Sequence, residues 1–441
     1  MGLLRIRVSS KIRLSPSSLI YASIILEITY AFLPLIRALP FFLRIIWRAL
    51  PVLFLFAALA MGKKRRLITY AALIVFFGVF SGWQRSMVYA NGMETSILSN
   101  CIVSVCYWSQ LILGYSAIEY IDFYQAERII NFSKVLCVLS CVTTIIGNFV
   151  IPGITRASAN FSETDFGFYI FNIGTYSFIY AIVFFVPTLL FLRRNGIEER
   201  NNRKINVVVL LIILCIVFSQ FFAAFVLLFI SLLAINCNRN LFLKIFLITL
   251  GAVFCILLLR SVTDYIIILC NRLSAVGMGQ LAERLRGMVY LLKSNTTFGD
   301  VAARMHLYRV SWQHFLHNPF LGLIGRLGFN RAPQYTASEM LGMSVESIMA
   351  VGQHSDIIDL LGGSGLLGCF PFVFVMFRFL KRMIFHAETK RMKNLFIIIL
   401  IQYIIYGFVD HAFSCLDVSI ITFVMPAILL IVDREKAENA V

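Results

Sequence analysis

Runs of about twenty apolar residues, repeated from one end of this chain to the other, decide what it can fold into. A bilayer core of roughly 30 Å is crossed by about 20 such residues in a helix. The chain offers about twelve of these stretches, near 17–36, 40–62, 67–84, 96–118, 133–152, 168–192, 205–220, 221–237, 241–260, 355–378, 394–413 and 417–433. Arg44 and Arg48 interrupt the second. The seventh and eighth meet at a tight turn near Ser219 and Gln220. Composition leaves no soluble alternative, because 60% of the residues are hydrophobic and only 14% charged, against about 45–50% and about 25% in soluble domains. The expected fold class is all-α. It is a polytopic integral membrane protein of about 12 transmembrane helices with a large helical outer loop between the ninth and tenth.

Charge supplies the expected orientation. Lys and Arg number 39 against 22 Asp and Glu, a formal net charge of +17. Loops on the cytoplasmic side of a membrane collect Lys and Arg. Here the block Lys63–Arg66 and the set Arg193, Arg194, Arg200, Arg203 and Lys204 fall in alternate connections. The expected inner segments are 1–16, 63–66, 119–134, 193–204, 238–244, 379–393 and 434–441, whereas the short outer loops 85–95 and 410–416 hold only Arg85. Both termini are therefore expected in the cytoplasm, and the positive charge needs no nucleic-acid partner. The basic start, Met1 to Ser18, leads into a full span without a small-residue cleavage site and reads as retained. The ten cysteines sit almost wholly inside apolar runs, with no C-x-x-C pair and no Cys/His cluster. No disulfide framework, metal or cofactor is expected.

Three regions follow: residues 1–261 with spans 1–9, the outer loop 262–353, and residues 354–441 with spans 10–12. Long translocated loops are largely exempt from the positive-inside rule, and loops of that length are usually functional. Met305, Tyr308, Trp312 and Leu316 recur at helical spacing and predict an amphipathic helix over 300–317, stopped by His317-Asn318-Pro319.

Four constellations could carry chemistry. His354-Ser355-Asp356 opens the tenth span, followed by Gly362, Gly363, Gly365 and Gly368. A histidine there can exchange protons near neutral pH, although an interfacial helix cap with packing glycines explains the same residues. Asn318 to Gly328 reads as a helix stop and a glycine-rich turn, without the context of a phosphate-binding P-loop. Arg156 precedes Phe161-Ser162-Glu163 in the loop after the fifth span; such an Arg either snorkels to headgroups or marks a substrate path. Arg304 and Arg309 lie on the predicted loop helix, as a solvated face or as an anion clamp.

In their order along the chain these pieces resemble the O-antigen polymerase and O-antigen ligase superfamily. The resemblance rests on Arg304, Trp312, Pro319 to Gly325, His354-Ser355 and Gly365-x-x-Gly368, with Arg156 and Phe161-Ser162-Glu163 earlier. It departs from the family where Ser rather than Asn follows His354, and where a Ser-x-Ser-Arg turn is reduced to Ser219-Gln220. The resemblance implies a periplasmic loop, an inner-membrane location and a metal-independent glycosyltransferase. Its donor would be an oligosaccharide on polyprenyl (undecaprenyl) pyrophosphate, and a chain-length regulator would be a further partner. It implies His354 as general base with Glu163 as second choice, and Arg156, Arg304, Arg309 and Arg331 as pyrophosphate and glycan contacts. The His-Ser-Asp and Phe-Ser-Glu versions favour the polymerase, which extends a lipid-linked repeat unit. The ligase, which transfers to lipid A-core, is the alternative, and a flippase or other transporter a more distant one.

Overall fold

The structure is a computed structural model that describes residues 15–89, 96–151, 153–157, 167–194, 202–236, 263–275, 279–294, 299–328, 330–352, 354–413 and 415–439. Among these it is helical throughout, apart from turns and one isolated bridge between Tyr89 and Val351. The membrane bundle contains α1 (Pro16–Phe32), α2 (Phe41–Gly62), α3 (Arg65–Val88), α4 (Ile97–Tyr120), α5 (Phe123–Val150), α6 (Tyr176–Arg194), α7 (Asn202–Ser219) and α8 (Phe222–Asn236). The loop region contributes α9 (Thr263–Ala275), α10 (Gly279–Ser294) and α11 (Gly299–His317). The chain then returns through α12 (Asp356–His386), α13 (Lys390–Val409) and α14 (Leu416–Asn439).

Nine of the described helices are long and apolar enough to cross a membrane, and α1 and part of α8 are shorter apolar helices. The protein is a multi-helix membrane protein. Each expected span except the ninth coincides with a described helix; 241–260 lies outside the described residues. Helix α14 is the hub, buried along almost all of its apolar length, while α2 leaves most of its surface outward. Phe41, Phe42, Ile45 and Leu53 of α2 are exposed, the expected surface of a helix solvated by lipid rather than water.

Two expectations about boundaries are corrected. Residues 119–134 do not form an inner loop, because α5 begins at Phe123. Asp122 caps it in a reciprocal box with Gln125, and the helix runs 28 residues. The sixth span does not run unbroken from 168: a short helix over 167–170 is followed by an irregular stretch before α6. Asn172 adopts φ 55° there, its side chain accepts from the Leu35 N–H at 3.1 Å and donates to Ser140 Oγ at 2.9 Å. Thr144 Oγ1 accepts from the Gly174 N–H at 2.7 Å. Non-helical backbone at such depth persists only where protein groups satisfy its hydrogen bonds, and these side chains do so.

The bundle's two ends differ in character. At one end lie Lys64, Glu119, Arg382, Thr389 and Asp433, joined by Lys64–Glu119 (2.7 Å), Arg382–Glu119, and Thr389–Asp433 (2.9 Å) contacts. At the other end the loop region packs onto α3, α12 and the α13–α14 turn.

Candidate functional site

The loop end is built by backbone contacts that only glycine allows. A side-chain carbon on Gly322 would collide with the Gly362 carbonyl, one on Gly365 with the Phe320 backbone, and one on Gly362 with the Ser311 backbone. The two glycine-rich motifs are thus each other's packing partners. The Leu323 N–H donates to Gly362 O at 2.7 Å. Gly365 breaks α12 with φ 61° and ψ −160°, and the donors freed by that break are taken up by the loop: Leu366 N–H reaches Pro319 O at 2.8 Å and Leu367 N–H reaches Phe320 O at 3.1 Å. These glycines position the site rather than line it.

Helix α11 does not present the face its spacing suggested. Trp312 and Leu316 are exposed, whereas Leu307, Val310, Ser311 and His314 are buried. The polar positions Ser311 and His314 face inward because they bond backbone that would otherwise be orphaned. Ser311 Oγ accepts from the Gly352 N–H at 2.7 Å and donates to Asp359 Oδ1 at 2.5 Å. His314 Nε2 lies 3.2 Å from Ala350 O. Burial lowers the pKa of His314 to about 4, so this histidine is a neutral structural group. The expected end of the helix at His317 is observed.

Those contacts bring α11 and the start of α12 against the α13–α14 turn, where ionisable groups converge. The His411 ring nitrogen Nδ1 is 3.5 Å from Asp356 Oδ1, and Asp356 Oδ2 accepts the Phe413 N–H at 2.5 Å. Asp410 accepts the His411 N–H at 3.0 Å and lies 3.6 Å from the Arg304 guanidinium. Arg304 also donates to Val409 O at 3.3 Å, and Tyr308 OH to the same carbonyl at 2.9 Å. His354, half-buried just before the Ser355 cap of α12, has its ring centre 6.2 Å from that of His411. Burial opposes a charge on His411, but Asp356, then Asp410 and Asp359, outweigh it and raise its pKa above the ordinary histidine value. The Tyr308 hydroxyl is pushed up by burial.

Of the residues singled out in the sequence, His354 and Arg304 meet in this cluster. Arg309 is exposed on α11 and Arg331 is half-buried beside Ala332; among the described contacts neither reaches His411. Arg156 falls in a short helix, Ile154–Ala157, whose Arg side chain is not described, and Glu163 lies outside the described residues. Sequence reasoning missed His411 and Asp410. Their signal was an adjacent acid and histidine in a short loop on the same expected side as His354. Asp356, in the His-Ser-Asp motif, and Asp359, three residues further on, were given no role. His411 also borders a cavity of about 500 Å³ formed with α2, α4, α6 and α14, within the usual range for small-molecule sites. Among the described residues no cluster of three or more His, Cys, Asp or Glu could hold a metal ion.

No protein-family model, curated protein or solved structure matches the chain.

Proposed function

We propose that this protein is an O-antigen polymerase-type transferase. It would move a growing glycan from a polyprenyl pyrophosphate onto another lipid-linked repeat unit at the periplasmic face of the bacterial inner membrane. The observation that supports this most is the convergence of Arg304, His354, Asp356, Asp410 and His411 at one end of a membrane bundle, beside a cavity. Lys63 and Lys64 join α2 to α3, Arg65 and Arg66 open α3, Arg193 and Arg194 close α6, and Arg203 and Lys204 open α7, all at the opposite end. By the positive-inside rule that end faces the cytoplasm and the cluster faces outward.

In the proposed step the acceptor sugar hydroxyl oxygen bonds to C1 of the donor glycan. The bond from C1 to the pyrophosphate oxygen breaks with its electron pair, and polyprenyl pyrophosphate leaves with one more negative charge. The acceptor proton passes to Nε2 of His411. Asp356, on the Nδ1 side, orients the ring and stabilises the imidazolium that forms, the division of labour of a carboxylate–histidine pair. A carboxylate-raised histidine is the stronger base. His354 stands close enough to be a second proton carrier. Arg304 supplies positive charge where the leaving group develops its own. No metal or cofactor enters, since the pyrophosphate is already an activated leaving group.

The test is the lipopolysaccharide ladder of the native host after chromosomal replacement. His411→Ala and Arg304→Ala, at normal protein level, should leave single repeat units on lipid A-core. The control His386→Ala, at the cytoplasmic end of α12, should keep long chains. Loss of every attached repeat with lipid-linked polymer accumulating would assign the ligase reaction instead. Unchanged ladders in both variants would remove the proposal.

A further inference from the structure

The cavity beside His411 contains a feature that the cluster's chemistry does not use. Three arginines line it: Arg37 from the 3-10 turn Pro34–Ala38, and Arg44 and Arg48 from the first half of α2. One lining carboxylate, Asp417 at the start of α14, accompanies them. Arg37 pairs with Asp417, which is almost fully buried, and donates to Thr175 Oγ1 at 2.8 Å. Arg48 donates from Nε to the Tyr30 hydroxyl at 3.1 Å. The guanidinium of Arg37 lies 5.4 Å and that of Arg48 5.0 Å from the Tyr30 ring centre, so one tyrosine gathers two cations. A further carboxylate, Glu27 of α1, is buried and accepts from Gln110 Nε2 at 2.7 Å without lining the cavity. Intramembrane arginines are rare and mark substrate paths when they face a cavity. Arg37 and Arg48 repel one another across the Tyr30 ring, and among the described residues Asp417 is the lining carboxylate that offsets them.

The wall adds a second constraint. Phe41 and Ile45 line the cavity, yet are 67% and 47% exposed. They belong to the part of α2 that presents apolar side chains outward. The cavity therefore meets lipid along one side, between guanidiniums within and hydrocarbon-compatible surface without.

We infer that Arg37, Arg44 and Arg48 form the seat of a diphosphate headgroup whose apolar chain leaves past Phe41 and Ile45 into the bilayer. The planar guanidinium fork matches phosphate oxygens two at a time, and three forks can surround a diphosphate. His411 on the opposite wall places the acceptor of a proton next to the seat. The identity of the lipid as a glycan carrier rests on the function proposed above; the anion seat and its lateral opening do not.

The experiment uses the full chain in nanodiscs and three probes: farnesyl diphosphate, farnesol and inorganic pyrophosphate. Farnesyl diphosphate should bind, and Arg44→Gln and Arg48→Gln should each weaken it by about tenfold, the loss of charge-assisted hydrogen bonds. Farnesol should bind far more weakly. Equal binding of farnesyl diphosphate to wild type and both variants, or of farnesol and farnesyl diphosphate, overturns the seat. Inorganic pyrophosphate binding as tightly as the lipid would overturn the lateral chain exit. Should the variants misfold, a photoreactive farnesyl diphosphate on the wild-type protein decides: labelling should fall within 37–48, and labelling confined elsewhere refutes the site. A seat that binds while chain extension proves absent from the wild type would sink the polymerase reading alone. Normal extension with unaltered binding in both variants would sink this inference alone.

Discussion

The bundle's two ends both hold ion pairs, but they use them oppositely. At the Lys64 end the partners are long, partly exposed side chains: Lys64 is 42% exposed and Glu119 24%, and Arg434 and Glu388 meet at 3.5 Å with both more than 40% exposed. At the loop end the carboxylates are short and buried: Asp356, Asp359 and Asp410 are nearly inaccessible, and each also accepts a hydrogen bond from a hydroxyl or a backbone N–H. Water screens the first set, so its pairs are weak and adjustable. It does not screen the second, where removing one partner strands a buried charge. Orientation can be specified by the former, because positive charge needs only to stay on one side. Chemistry needs the latter, because a proton carrier must be held still and its affinity for the proton set by fixed neighbours.

The contrast is broken most directly by truncating one histidine at each end. His411→Ala should lower the rate of chain extension by about 10²- to 10⁴-fold, the usual cost of a lost general base. His386→Ala should leave it unaltered, since His386 Nδ1 lies 2.9 Å from the Arg382 carbonyl of its own helix, away from the loop end. Equal effects would mean that burial among carboxylates confers no special role. His354→Ala belongs to the same experiment: if it costs more than His411→Ala, the proton acceptor is His354 and His411 the positioning group.

Next in size is the backbone seam that holds the loop end together. Gly322 has φ 56°, in the left-handed region, and abuts the Gly362 carbonyl. Gly322→Val adds a branched side chain to a conformation that disfavours it and to a space already filled. The expected cost is about 1–3 kcal/mol, read as a lower thermal midpoint together with protease sensitivity between 299 and 352. Gly342→Val, where a side-chain carbon meets nothing, should change neither.

A pH profile sharpens the comparison without removing a side chain. The raised pKa of His411 means that its neutral, proton-accepting form is lost as pH falls through a value above 6.5. Chain extension should therefore decline on acidification with a midpoint above the ordinary histidine value. Asp356→Asn removes the largest influence favouring the charged ring, so the midpoint should move to lower pH while the maximal rate also drops. The linked stability runs the other way: the His411–Asp356 attraction is fully present below the unfolded-state pKa and fades as pH rises through the folded one. An acid limb that does not move in Asp356→Asn would show that another group titrates.

What the sequence disclosed follows from which signals are local. Spans were legible because lipid demands about 20 apolar residues in a row, whatever their neighbours. The alternation of basic blocks was legible for the same reason. The break at Asn172 was not, because a polar residue in an apolar run looks tolerable until its partners, Leu35 and Ser140, are known. The face of α11 was misread because Ser311 and His314 are buried to satisfy Gly352 and Ala350, a demand set by tertiary contact. In the candidate site, Arg304 and His354 were found through motif order. Asp410 and His411 were passed over because a short connecting loop carries no periodicity. Arg44 and Arg48 were seen but read as a blemish in the second span. Arg44 and Arg48 are four residues apart and so share one side of α2, and that spacing was the available clue.

The smallest expected effect is at the Lys64 end. Lys64 donates to Glu119 at 2.7 Å and lies over the Tyr120 ring, 4.8 Å from its centre. Both contacts are at the surface, and Arg382 remains on the other oxygen of Glu119 when Lys64 is gone. Lys64→Ala should therefore cost under about 1 kcal/mol, with ladder length and the acid limb of the pH profile unaltered. Glu119→Ala should cost more than Lys64→Ala, because it leaves two cations facing each other across the space the carboxylate occupied. That difference should shrink in high salt, since screening weakens exposed charges, whereas the His411–Asp356 effects should persist. A salt-sensitive loop end, or a salt-insensitive Lys64 end, would contradict the assignment of chemistry to the one and orientation to the other.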